Sequence, residues 1–153
     1  MLRITLAVLH LLALGIGLGA VYARARSANR LRDTPDLLPR VFAADAWWGI
    51  AAGLWIATGL WRAFGGMEKT PSYYWSNHVF YAKMGFLALI LVLEIWPMST
   101  LIGWRAASRR GTLDAAQLAS KGRLIARISD VQMLLVVAMV IAATMMARGY
   151  GAR

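Results

Sequence analysis

Three side chains of this sequence carry chemistry that lipid-facing helices do not need. They are His10, Lys83 and Arg62. An imidazole can ligate haem iron or move a proton, and an ammonium and a guanidinium hold carboxylates or phosphates. His78 and Tyr74 stand close to the same set in sequence, with Lys69, Tyr73, Trp75 and Asn77 beside them. Together they describe a positive, partly dehydrated, aromatic-lined site. It suits an anionic headgroup, a carboxylate-bearing apolar ligand, or haem propionates with His10 as axial ligand. The plainer reading is that Lys83 and Arg62 reach lipid phosphates along their apolar stems. A second set comprises Asp45 and Glu94, with Asp130 and Gln132, and with Arg40 and Arg127 near. These pair as salt bridges to arginine-rich connections, or serve as proton sites. Met133, Met139, Met145 and Met146 offer thioethers that suit Cu(I), but methionine is also ordinary core material. The chain has no cysteine, and no P-loop, HExxH or GxSxG motif is present.

The elements that position these groups are set by composition. The chain has 153 residues, 59% hydrophobic and 16% charged, against roughly 25% charged in an ordinary soluble domain. The charges are segregated. Residues 4–22 and 131–147 hold no formal charge, and 42–61 and 79–102 hold few. A membrane span needs about 20 predominantly apolar residues, and none of these segments shows the polar stripe of a soluble bundle helix. The sequence therefore predicts an all-α integral membrane four-helix bundle, a single domain over residues 1–153. Turn signals at Asp33-Thr34-Pro35-Asp36 and Pro39 end span 1 before the arginine-rich stretch and start span 2 after it. Residues from Thr112 to Ile128 read as a short interfacial helix running toward span 4.

Lys and Arg outside the spans decide the orientation. The connections 23–41 and 103–130 hold 11 of them, and the opposite side holds 5. The positive-inside rule places both connections in the cytoplasm and both termini outside. The net charge of +10 then sets topology and meets anionic lipids at the cytoplasmic face. No nucleic-acid partner is expected, because no basic stretch has interleaved aromatics or a known module. Val21-Tyr22-Ala23 has the form of a signal-peptide cleavage site, but arginines would follow the cut at once, so span 1 is read as retained. In this frame His10 and Lys83 lie about 6–9 Å below the outer face, and Glu94 lies roughly 22 Å deep.

Small residues drive helix association in lipid. Gly15 with Gly19, and Gly49 with Gly53, are spaced to form packing faces. Trp47, Trp48, Trp61, Trp75, Trp96, Trp104 and Tyr22 fall near span boundaries as an aromatic belt, whereas Trp55 is mid-span with no obvious polar partner.

The order of these landmarks resembles a family. Asp45-Ala46-Trp47-Trp48-Gly49, Gly59-Leu60-Trp61-Arg62, Lys69, Tyr73-Tyr74, Asn77, Phe80, Lys83, Pro97 and Trp104-Arg105 are similar to a family of small four-span bacterial membrane proteins known only as a domain of unknown function. The resemblance covers about His10 to Arg110. It implies the four-helix fold and a bacterial inner membrane, and no activity. A weaker resemblance is to HemJ-type protoporphyrinogen oxidases and CopD-like copper-resistance proteins. Leu9-His10 matches the first-span Leu-His of the HemJ-type proteins. Tyr81-Ala82-Lys83 matches a later His-Ala-Lys in part, with Tyr81 at the histidine position and His78 one turn earlier. That resemblance implies a haem b or tetrapyrrole site built from His10 and Lys83.

Three classes of function follow. One is a redox or tetrapyrrole-handling protein using His10, Lys83, Arg62, His78 and Tyr74. The second is a non-enzymatic scaffold or accessory subunit, as a homo-oligomer or within a larger membrane complex. The third is a small transporter or lipid-site protein that uses Lys83 and Arg62 for an anion.

Overall fold

The structure is a computed structural model, which describes residues 1–65, 73 and 75–151. Four long helices make up the bundle: α1 (Leu2–Asn29), α2 (Leu38–Phe64), α3 (His78–Arg109) and α4 (Ala115–Ala147). A single 3-10 turn, Pro35–Leu37, leads into α2. All four helices are long and apolar enough to cross a membrane. At 1.5 Å per residue they run about 40–50 Å, against a hydrocarbon core of about 30 Å, so each has turns to spare beyond the apolar slab. Their outward faces are apolar as well. Ile4, Leu12, Ile50, Val92, Ile95, Leu134 and Ile141 are all exposed, as expected where the solvent is lipid.

The helices outrun the spans read from the sequence. Helix α1 does not stop before the arginines; it continues through Arg24 and Arg26 to Asn29. Alanines at 20, 23, 25 and 28 favour helix, and the arginines find acidic partners on other helices. The short interfacial helix expected from Thr112 is instead the start of α4. Asp114 caps it by accepting from the Ala116 N–H at 2.9 Å, and it runs unbroken to Ala147. Asn77 caps α3 in the same way, accepting from Val79 and Phe80.

Helix α1 packs along α2 and α4, and α3 packs along α4, while α2 and α3 scarcely approach. The order around the bundle is α2–α1–α4–α3. Along its axis the interior falls into layers. One apolar layer joins Ala28, Leu31, Val41, Leu101, Trp104, Leu118 and Ile125. A second joins Ala20, Val21, Trp48, Ile90, Val136 and Met139. Between them lies a layer of charged and amide side chains. Beyond the second, toward both termini, the bundle opens into a cavity.

The glycine faces differ from expectation. A Cβ at Gly15, Gly19, Gly49 or Gly53 would meet nothing within 4 Å, so these pairs do not pack within the chain. Gly17 does, against Ala51 and Trp48. It lies 200° around the helix from either neighbour two residues away. Gly122 is tighter still, because a Cβ there would lie 2.7 Å from the Ala28 carbonyl oxygen, where α4 crosses α1. Trp48 and Trp104 are likewise not belt residues. Both are buried, while Trp47, Trp61, Trp75 and Trp96 remain exposed.

Candidate functional site

The cavity has a volume of about 560 Å³ and is partly open. That lies within the roughly 300–1,000 Å³ of small-molecule sites. His10 from α1, Arg62 from α2 and Lys83 from α3 all line it, with Tyr73 and Thr144 as further polar groups. Most of the remaining wall is apolar: Leu11, Leu14, Ile56, Leu60, Met84, Leu87, Met139 and Val140. The three groups singled out in the sequence therefore converge because four antiparallel helices bring residue 10, the end of α2 and the start of α3 to one level.

Local geometry fixes His10. Its Nδ1 lies 2.9 Å from the Thr58 hydroxyl. That hydroxyl donates its one proton back to the Leu54 carbonyl at 2.7 Å, a bond a helical threonine makes to the preceding turn. The Thr58 hydroxyl thus sits between the His10 ring and the α2 backbone, within hydrogen-bond distance of both. The ring stacks on Trp55, with centroids 5.5 Å apart at 29°. Gly59 makes room for it, since a Cβ there would come within 3.1 Å of His10 Cε1. The Trp55 indole N–H is buried without an acceptor among the described residues, in keeping with its mid-span place in the sequence.

His78 does not join this set. It is the exposed first residue of α3 and is not among the described residues lining the cavity. Tyr74 lies outside the described residues, as do Glu68 and Lys69. Tyr73 is placed. Its hydroxyl donates to the Met146 carbonyl at 3.0 Å and ties the connection to the end of α4. Asn77 Nδ2 donates to the Tyr150 carbonyl, and the His78 N–H donates to Gly151. A positive φ of 81° at Gly151 and its close approach to Asn77 explain a glycine there.

The second set is also real, but its cation is a residue the sequence reading assigned to a loop. Arg24 is 0% exposed. Its Nε donates to Ser129 Oγ at 3.0 Å. One terminal nitrogen donates to Asp45 at 2.9 Å and Glu94 at 2.6 Å, and the other to Glu94 and Gln132, both at 2.8 Å. All five guanidinium N–H groups are thus used. Glu94 also accepts from Gln132 Nε2 at 2.7 Å and from the Trp48 indole at 3.1 Å. Asp45 is shared with Arg105, which also donates to the Phe42 carbonyl. Two guanidinium groups face two carboxylates, so the layer is neutral. Arg40 and Arg127, the expected partners, are exposed, and Asp130 pairs with Arg26 near the surface. The signal for Arg24 was present: Gly17, Ala20, Val21, Arg24 and Ala28 recur at three- and four-residue spacing, which is one helix face.

No polar side chain among the described residues joins the two levels; Ala20, Val21, Ile90, Val136 and Met139 lie between. No group of three metal-ligating His, Cys, Asp or Glu side chains occurs among the described residues.

Four apolar helices around a saturated charge layer, with a cavity at one end, define a polytopic membrane protein. The chain belongs to a family described as predicted membrane protein, DUF2214, whose model matches residues 2–151. No curated protein and no solved structure matches the chain.

Proposed function

We propose that this protein binds an apolar molecule bearing an anionic group in the cavity between its helices. The observation that carries this reading is the convergence of His10, Arg62 and Lys83, from three helices, on the wall of one largely apolar cavity of about 560 Å³. Cations in a low-dielectric setting attract a carboxylate or phosphate more strongly than in water. The apolar wall takes the rest of the ligand. By the charge bias the cavity lies in the outer leaflet, in the inner membrane of a bacterium.

The test is saturable binding of cis-parinaric acid, read by energy transfer from tryptophan in the detergent-purified protein. Lys83→Gln with Arg62→Gln is expected to weaken binding tenfold or more, about 1.4 kcal/mol. The uncharged methyl ester should bind the unaltered protein as weakly as the acid binds the variant. Equal affinity for acid and ester would overturn the proposal.

One observation favours a second reading, in which the ligand is a haem-type macrocycle. His10 Nδ1 lies 2.9 Å from the Thr58 hydroxyl, the kind of outer contact that orients metal-bound histidines. A Soret band that is lost in His10→Ala supports it. A colourless preparation that takes up no added haem removes it.

A further inference from the structure

The ring of helices has one side that differs from the other three. Helices α1 and α2, α1 and α4, and α3 and α4 are packed along their lengths, but α2 and α3 have almost no backbone approach. Among the described residues, side chains join them at two heights. At the charge layer, Trp48 of α2 donates to Glu94 of α3, and Arg105 of α3 donates to Asp45 of α2. At the opposite end Phe64 of α2 meets Phe80 of α3 edge-on, at 6.4 Å and 83°. Between these two closures the seam is the cavity itself, with Leu60 on one wall and Met84 and Leu87 on the other. Leu60 is 48% exposed and lines this partly open cavity at the same time.

We infer that the α2–α3 seam is a lateral door, through which a single-chain amphiphile with an anionic head passes from the bilayer into the cavity. This rests on the ligand-binding reading above and names the class and source of the ligand. The cations sit where such a molecule needs them. Arg62 is two residues from the end of α2, and Lys83 is five residues into α3, about 8 Å. A charged head held there stays near the membrane–water boundary and never crosses hydrocarbon, which would be costly. The chain needs only to move sideways, parallel to the helices, past apolar walls.

The α3 side of the door also has a place to bend. Pro97 lies inside α3, one turn from Glu94. It has no N–H, so the Leu93 carbonyl has no helical donor four residues on. The arm from His78 to Leu93, tied to α4 where Gln132 Nε2 donates to the Ile90 carbonyl at 3.2 Å, joins the remainder of α3 through a ladder one hydrogen bond short.

The absence of cysteine makes the test clean. Leu60→Cys with Met84→Cys places the only two thiols on the two sides of the seam. The variant, in phosphatidylcholine vesicles, is tethered with a disulfide-containing bis-maleimide. Uptake of cis-parinaric acid delivered from a second vesicle population is then followed by stopped flow. Tethering is expected to slow uptake at least tenfold. Reducing the tether should restore the rate to that of the same double variant carrying two monofunctional maleimides, which is the reference throughout. Ligand loaded before tethering should stay bound. If tethered and reduced protein fill equally fast while binding remains saturable, the door is elsewhere and the cavity reading stands. Absence of saturable binding in the untethered protein overturns both.

Discussion

Arg24 has five N–H groups and five hydrogen bonds to meet them, and no water reaches it. Removing the guanidinium strands Glu94 and deprives Asp45 of one of its two cations. Arg24→Met is expected to cost about 3–5 kcal/mol, the usual result of breaking a buried pair on one side. Arg24→Met with Glu94→Met should be less damaging than Arg24→Met alone, because it deletes one charge of each sign and leaves Asp45 with Arg105. Arg24→Lys keeps the charge but cannot reproduce the fork, so it should fall between wild type and Arg24→Met. Thermal unfolding of the detergent-solubilised variants, read by size-exclusion chromatography, orders the four proteins. A single variant as stable as wild type would show that the layer contributes nothing. At the cavity, Gly59→Leu would drive a side chain into the His10 ring. It is expected to abolish ligand uptake while leaving the melting temperature within a few degrees, since Gly59 is only partly buried.

Helix crossings make the sharper claim about elements. Gly122→Ala would place a methyl 2.7 Å from the Ala28 carbonyl, and backbone does not yield as a flexible side chain does. We expect a loss of about 1–3 kcal/mol, the range for overpacking, while Gly15→Ala and Gly53→Ala leave monomer stability unchanged. The same thermal assay separates them. That contrast also shows what the sequence disclosed. Segregated charge made the four helices legible, because hydrocarbon excludes ions over a length that composition alone reveals. The meeting of His10, Arg62 and Lys83 was legible for the same reason, since an antiparallel bundle fixes depth. Which glycines pack was not, because spacing defines a face without saying which way it turns. Arg24 was missed through its company. Among Arg26, Arg30 and Arg32 it reads as one more loop arginine, and only the helix continuing to Asn29 turns it inward. Asp45 and Glu94 read from the sequence as salt-bridge or proton sites; the arginines they face, Arg24 and Arg105, depended on that same turn and on the bundle.

Across the whole molecule, the excess of Lys and Arg on the two long connections predicts that both termini face away from the cytoplasm. Alkaline phosphatase fused after Arg153 should be active and green fluorescent protein at the same position dark; the reverse would invert the protein and move the cavity to the inner leaflet. The layered interior divides labour along the axis. The end holding Arg24 is closed by ionic and hydrogen-bonded contacts among all four helices, and the other is held by apolar contacts, by Tyr73 on the last turn of α4 and by Asn77 on Tyr150 just beyond it. Ionic contacts are concentrated at one end and room at the other, the distribution the proposed binding role would require.

The guanidinium at position 24 also bears on how the chain is made. Two of its five acceptors, Ser129 and Gln132, belong to α4, which is made after α1, α2 and α3. Until α4 is in place the guanidinium lacks two of its five acceptors, so a chain without α4 is expected to be a better substrate for membrane proteases. A chain terminated after Arg110 should be degraded several-fold faster in a pulse–chase than the same truncation carrying Arg24→Leu. Equal lifetimes would mean that the arginine does not report on completeness.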